Sequence, residues 1–158
     1  MLSNDQTQPG VLREAAGIWA KRMGHDAYIP DKEWYTLDLV VVAPKYPEKK
    51  YWKSKALLTV EHENKKDVET EIWKQAHWRS DLAVLVFYEP AKAKPSWLSD
   101  KLSTLSEIVG RIDPDGLDRY LLIVGRSIGD TEVEFCSSVM ENNLFHDPML
   151  FLTVDIGV

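Results

Sequence analysis

A single cysteine, Cys136, stands in the 158 residues. That scarcity excludes an internal disulfide and any cysteine-cluster zinc site, and it makes the cytosol the natural compartment. The four histidines, His25, His62, His77 and His146, share no zinc-ligand spacing. No apolar run approaches the ~20 residues that a membrane helix needs, so no membrane association is expected. Met1 to Pro9 is polar, without a basic start or an apolar stretch, so no signal peptide is expected. No Gly-x-Ser-x-Gly and no Walker or dinucleotide glycine loop occurs. Gly125-Arg126-Ser127-Ile128-Gly129 is bounded by glycines but lacks the lysine that would follow. Basic charge is also short: 19 Lys and Arg stand against 25 Asp and Glu, a net charge of −6. This argues mildly against binding phosphate through overall charge, but not against an acidic, metal-bound site, because the distribution of charge matters more than its sum.

What is present is the composition of an ordinary globular chain, 44% apolar and 28% charged. Its length suits one domain over residues 1–158, with 1–10 as a flexible leader ending in Pro9-Gly10. Helical spacing of Leu12, Ala15, Ala16, Trp19 and Met23 predicts a helix over 11–23, stopped by Gly24. A short strand is expected at 27–29 and a longer one over 33–43, ended by Pro44. The stretch 45–55, with five lysines, reads as a loop. A strand is expected over 56–63, a helix over 67–79, a strand over 82–88 and a helix over 96–112. Strands follow at 120–124, 131–138 and 149–155. No repeat or linker divides the chain. Alternating strands and helices imply an α/β protein with a central mixed sheet flanked by helices, its continuously apolar strands covered on both faces. Cys136, in one of these strands, reads as a buried thiol.

Two of the apolar runs carry acid where a buried strand should have none. They are Leu37-Asp38-Leu39-Val40-Val41-Val42 and Leu57-Leu58-Thr59-Val60-Glu61-His62-Glu63-Asn64-Lys65. Charged side chains are rarely buried unless they are paired or bind a metal. Glu61, Glu63 and Lys65 share one strand face if the strand stays regular that far, and His62 points away from it. If the strands pair, Asp38 can meet Glu61 or Glu63 at one edge. Oxygen ligands of this kind suit Mg²⁺, which keeps several waters for substrate phosphates; Mn²⁺ is a possible substitute.

An acid on one strand, then a strand bearing acid-x-acid or acid-x-lysine, then a helix and an apolar strand, resembles the PD-(D/E)xK nuclease superfamily, the restriction-endonuclease-like fold. The resemblance covers roughly residues 11–88. It implies a metal-dependent endonuclease that hydrolyses phosphodiester bonds, on duplex DNA, with Asp38 and the next acid holding the metal. Two alignments are open. In the preferred one, Asp38 and Glu61 are metal ligands and Glu63 is the third acid, in the place of the family's lysine. In the other, Asp38 pairs with Glu63, and Lys65 is the lysine that assists the water. Glu14, on the helix before the first strand, matches an additional acid of the family. The family's proline before the aspartate is absent, Leu37 standing there. Cleavage of both strands of a duplex would favour a symmetric homodimer.

The plain alternative is a set of strand-end acids facing solvent, with Glu63 and Lys65 a surface pair worth under ~1 kcal/mol. A further alternative is a non-catalytic nucleic-acid-binding or protein-interaction module on the same fold. Glu71 and Lys74, three apart on the next helix, either border the site or form an ordinary surface pair. Trp73, His77 and Trp78 on that helix read as core in preference to an interface.

Overall fold

The two apolar strands on either side of the acidic helix region run side by side in the same direction. The computed structural model describes residues 8–25, 29, 37–43, 55–64, 67–116 and 118–155. In chain order these give α1 (Gln8–Arg22), β1 (Leu39–Ala43), β2 (Lys55–Glu63), α2 (Val68–Trp78), β3 (Leu82–Tyr88), α3 (Trp97–Ile112), β4 (Tyr120–Ile128), β5 (Glu132–Glu141), β6 (Leu144–Phe145) and β7 (Met149–Asp155). β1 pairs antiparallel with β2, and β2, β3 and β4 are mutually parallel. β5 is antiparallel to β4, and its outer side carries both β6 and β7. The chain is therefore an α/β protein with a mixed seven-strand sheet and three helices among its described residues. No helix among them is long and apolar enough to cross a membrane.

The core follows the helical periodicity. α2 buries Val68, Ile72, Gln75 and Ala76, and α3 buries Leu102, Leu105, Ser106 and Val109, both at the three- and four-residue spacing of one helix face. These stripes pack over Ala83, Leu85, Phe87, Leu122 and Val124 of the parallel strands. Each fully buried Leu or Phe there contributes on the order of 2 kcal/mol. α1 covers the other side of the sheet, setting Ala16 and Ala20 against Leu39, Val41, Leu58 and Val60. That second face is only partly closed. β2 is buried on both faces, while β3 alternates between buried and half-buried residues, so the expected cover on both faces holds for β2 and only in part for β3.

Other expectations shift in detail. α1 starts at Gln8, inside the supposed leader, and Pro9 is tolerated there because first-turn N–H groups have no intrahelical partner. The expected strand over 33–43 is described only from Leu37, and the one at 27–29 lies largely outside the described residues. β4 runs on through the glycine-bounded stretch to Ile128. Gly125 is required there: a Cβ on it would lie 2.5 Å from the Tyr88 ring. β6 went unseen, being two residues long. Cys136 is half-buried, not buried. Trp73 and His77 are exposed and lie ring to ring at 4.2 Å. Only Trp78 joins the core, against Leu37, Val40, Val42 and Ala56.

Candidate functional site

The register of the β1–β2 pair decides where the acids go. Leu39 faces Val60, which carries Asp38, one residue before β1, to the level of Glu61. The chain bends at Asp38, between the bridge residue Leu37 and the start of β1, and its side chain reaches β2 from that bend. The His62 N–H donates to Asp38 Oδ2 at 2.8 Å. The carboxylate thus ties the bend to β2, and a charge-assisted bond of this type is stronger than a neutral one.

Alternation along β2 sends Thr59, Glu61 and Glu63 to the α2 face and His62 to the other. Glu61 is only 3% exposed. Its cover is α2, whose Lys74 Nζ lies 3.2 Å from Glu61 Oε1 and also pairs with Glu71. Gln75, the next residue, fixes the helix to the sheet. Its amide donates to the carbonyls of Thr59 on β2, at 3.3 Å, and Val84 on β3, at 2.9 Å. The site lysine is therefore held at a set height above Glu61.

The electrostatics are unbalanced. Burial, then the charges of Asp38 and Glu71, push the Glu61 carboxyl up to about 8, against the opposing pull of Lys74. Burial works against the Lys74 charge, but its bond to Glu71 and the charge and bond of Glu61 together hold its pKa above the usual lysine value. Glu61 and Glu71 share one ammonium in an enclosed space, and exposed Asp38 adds its charge from the strand exit, so the Glu61 carboxyl is driven toward its protonated form.

The expected site residues separate as follows. Asp38 and Glu61 come together. Glu63 lies two residues further out on the same face, half-buried. Lys65 lies outside the described residues. Glu14 is exposed on α1, the helix on the opposite side of the sheet. Among the described residues no three carboxylate, imidazole or thiolate groups stand as a ready cation cage. Two carboxylates with substrate phosphates and waters are nevertheless the usual protein share of a Mg²⁺ site, and the hard oxygens of Asp38 and Glu61 fit that share. Both anchors of the lysine-rich segment, Ala43 and Lys55, pair at the far end of the hairpin from these acids.

Glu71 and Lys74 either border the site or form a surface pair on the sequence alone; the structure encloses them and joins Lys74 to Glu61, a link that the sequence reading did not make. Also missed was Tyr88 at the end of β3. Its hydroxyl is 3.1 Å from His62 Nε2, and its ring meets the imidazole edge-on. Asp38, Glu61, His62, Glu63 and Tyr88 all gather at the carboxyl ends of the parallel strands β2 and β3, the place where open α/β sheets bind ligands. No protein-family model matches the chain, and comparison with curated proteins finds no relative.

Proposed function

We propose that the chain is a Mg²⁺-dependent nuclease of the PD-(D/E)xK type, hydrolysing phosphodiester bonds of DNA. The carrying observation is the convergence of Asp38 and buried Glu61 across the β1–β2 pair, with Lys74 above them. The antiparallel pair β1–β2, followed by α2 and a parallel β3, agrees with the restriction-endonuclease-like core. In this reading Asp38 and Glu61 hold the metal, which when bound supplies charge neutralisation at the phosphodiester and a more acidic water. Lys74 keeps its proton, so it acts as a hydrogen-bond donor to the attacking water or a phosphoryl oxygen, stabilising charge and not accepting a proton. Glu63 stands as the third acid at the strand exit. In the alternative alignment Lys65 would provide the assisting ammonium, and Glu14 a further acid.

The test is nicking of supercoiled plasmid with Mg²⁺ or Mn²⁺. The expected result is cleavage that Asp38→Ala and Glu61→Ala each abolish. Cleavage that survives both substitutions would overturn the assignment.

A second reading, a non-catalytic interaction module, is favoured by one observation: the exposed apolar surface of β7. Calorimetry that finds no Mg²⁺ or Mn²⁺ binding to the intact chain would support that reading over the first.

A further inference from the structure

The described helices leave part of one sheet face open. Strand pairing sends Val86 of β3, Ile123 of β4, and Phe135 and Val139 of β5 to the same side. The β5–β7 register shifts at Phe151. The shift sets Leu152 opposite Phe135 and Met149 opposite Ser137 on that side, and Leu150 opposite Cys136 on the other. α1 is the one described helix on this side. It packs over β1 and β2 and reaches only Leu82 and Val84 of β3, while α2 and α3 cover the opposite side. Beyond α1, Val139 and Leu152 each stay 47% exposed and Met149 71%. A hollow of about 540 Å³ opens there, with Val139 and Met149 on its apolar wall and Glu141 and Asp147 on its acidic one. An apolar surface rimmed by polar groups marks an interaction site.

We infer that this face binds a basic amphipathic helix of a partner protein, laid alongside α1. The charge of the margin selects the sign of the partner. From Ser127 to Val158 the sequence holds six Asp and Glu and no Lys or Arg. Arg126 lies on the other face, paired with Glu134 at 2.7 Å, and exposed Arg119, just before β4, is the exception at this margin. Such a rim attracts lysine and arginine and repels like charge, so nucleic acid, an anionic membrane and a second copy with the same rim all fit it poorly. The width of the face selects a helix. Strands lie about 4.8 Å apart, so β3 to β7 spans about 14 Å, room for one helix of about 10–12 Å. Apolar side chains at helical spacing would meet Val139, Met149 and Leu152, and flanking cations would meet Glu141 and Asp147. Glu61 points to the opposite side of the sheet, toward α2, so docking here and chemistry there are separate properties.

Fluorescence anisotropy of the intact chain with labelled synthetic helices tests this without metal or DNA, so its outcome is independent of the nuclease assay. The probe is a leucine–lysine peptide of about 18 residues, five turns, with leucine on one face. Its counterparts are the same pattern with glutamate for lysine, and a scrambled leucine–lysine peptide. The patterned leucine–lysine helix is expected to bind, more weakly as salt rises, and both counterparts to bind at least roughly tenfold more weakly. Val139→Lys and Leu152→Lys, checked for an unchanged far-UV spectrum, should each weaken binding by a similar factor. Leu150→Lys, the same change on the opposite face, should leave it as it was. Glu141→Gln with Asp147→Asn should reduce the salt dependence. No binding of the patterned helix, equal binding of either counterpart, or binding that survives both face variants would overturn the inference. So would a parent chain that sediments as a dimer and becomes monomeric with Val139→Lys, since the face would then belong to a second copy.

Discussion

Lys74 Nζ stands 3.2 Å from Glu61 Oε1 while also binding Glu71, so one ammonium serves two carboxylates beneath α2. Asp38 adds a third negative charge from the bend before β1 and raises Glu61 further. The proton on Glu61 and the proposed cation therefore compete for one place, and the consequences are measurable.

The first concerns pH and stability. The folded-state pKa of Glu61, about 8, lies above its ordinary value of 4.5. Between these two values the folded chain holds a proton that the unfolded chain has lost. The contribution to stability is thus complete below the lower value, declines as pH rises, and is gone above the higher one. The decline is at most about 5 kcal/mol. Urea unfolding between pH 5 and 9 should show this slope, and Glu61→Gln should flatten it. An equal slope in the variant would assign the effect elsewhere.

Asp38→Asn should lower the Glu61 pKa, because one of its neighbouring charges is removed while an amide oxygen can still accept from the His62 N–H. Carbon-detected titration of the glutamate carboxyls would read the shift directly. An unchanged titration would mean that Asp38 does not act on Glu61 across the strand pair.

Lys74→Met leaves two enclosed carboxylates without their cation. The expected cost is about 2–4 kcal/mol, as for breaking a buried pair from one side, and it should be largest at alkaline pH. Adding Glu61→Gln should recover a good part of that stability without restoring cleavage. Urea midpoints of the single and double variants, with plasmid nicking in parallel, separate the structural from the chemical contribution.

Gly125→Ala places a methyl against the Tyr88 ring, where the approach of 2.5 Å is too close for contact. The ring must swing aside, which should cost about 1–3 kcal/mol and break its bond to His62. A crystal structure or the tyrosine ring shifts would show the movement, and Tyr88→Ala should relieve the strain of the alanine at 125.

Element order was largely legible because helices and strands differ in apolar period. Val68, Ile72, Gln75 and Ala76 mark α2 plainly, and Leu82 to Tyr88 can hardly be anything but a strand. Asp38 and Glu61 were legible as misfits in apolar runs. Their meeting depends on the β1–β2 register, which no local pattern states. The contribution of Lys74 depends on how α2 is rotated over the sheet. That rotation is set by Gln75 bonding to two backbone carbonyls, and a glutamine in a helix announces nothing of the kind. The exposure of Trp73 was misjudged for a related reason: aromatic content says that area is available for burial, not that a neighbour is present to cover it. β7 read as an ordinary apolar strand, since sequence alone does not reveal which strand ends at a margin.

The Gln75 crossbar also sets which changes of length the fold can absorb. Each residue added to a helix turns everything after it by about 100°. One residue inserted between Val68 and Lys74 would force a choice: keep the amide on its two strands, or keep the helix entry where it is. Either way the ammonium and Glu71 lose their common alignment over β2. An insertion in the turn after Pro90, by contrast, alters only the approach to α3. Drift in length should therefore be scarce in the first half of α2 and tolerated between β3 and α3, a pattern that variant libraries of this chain would display without any assay of activity.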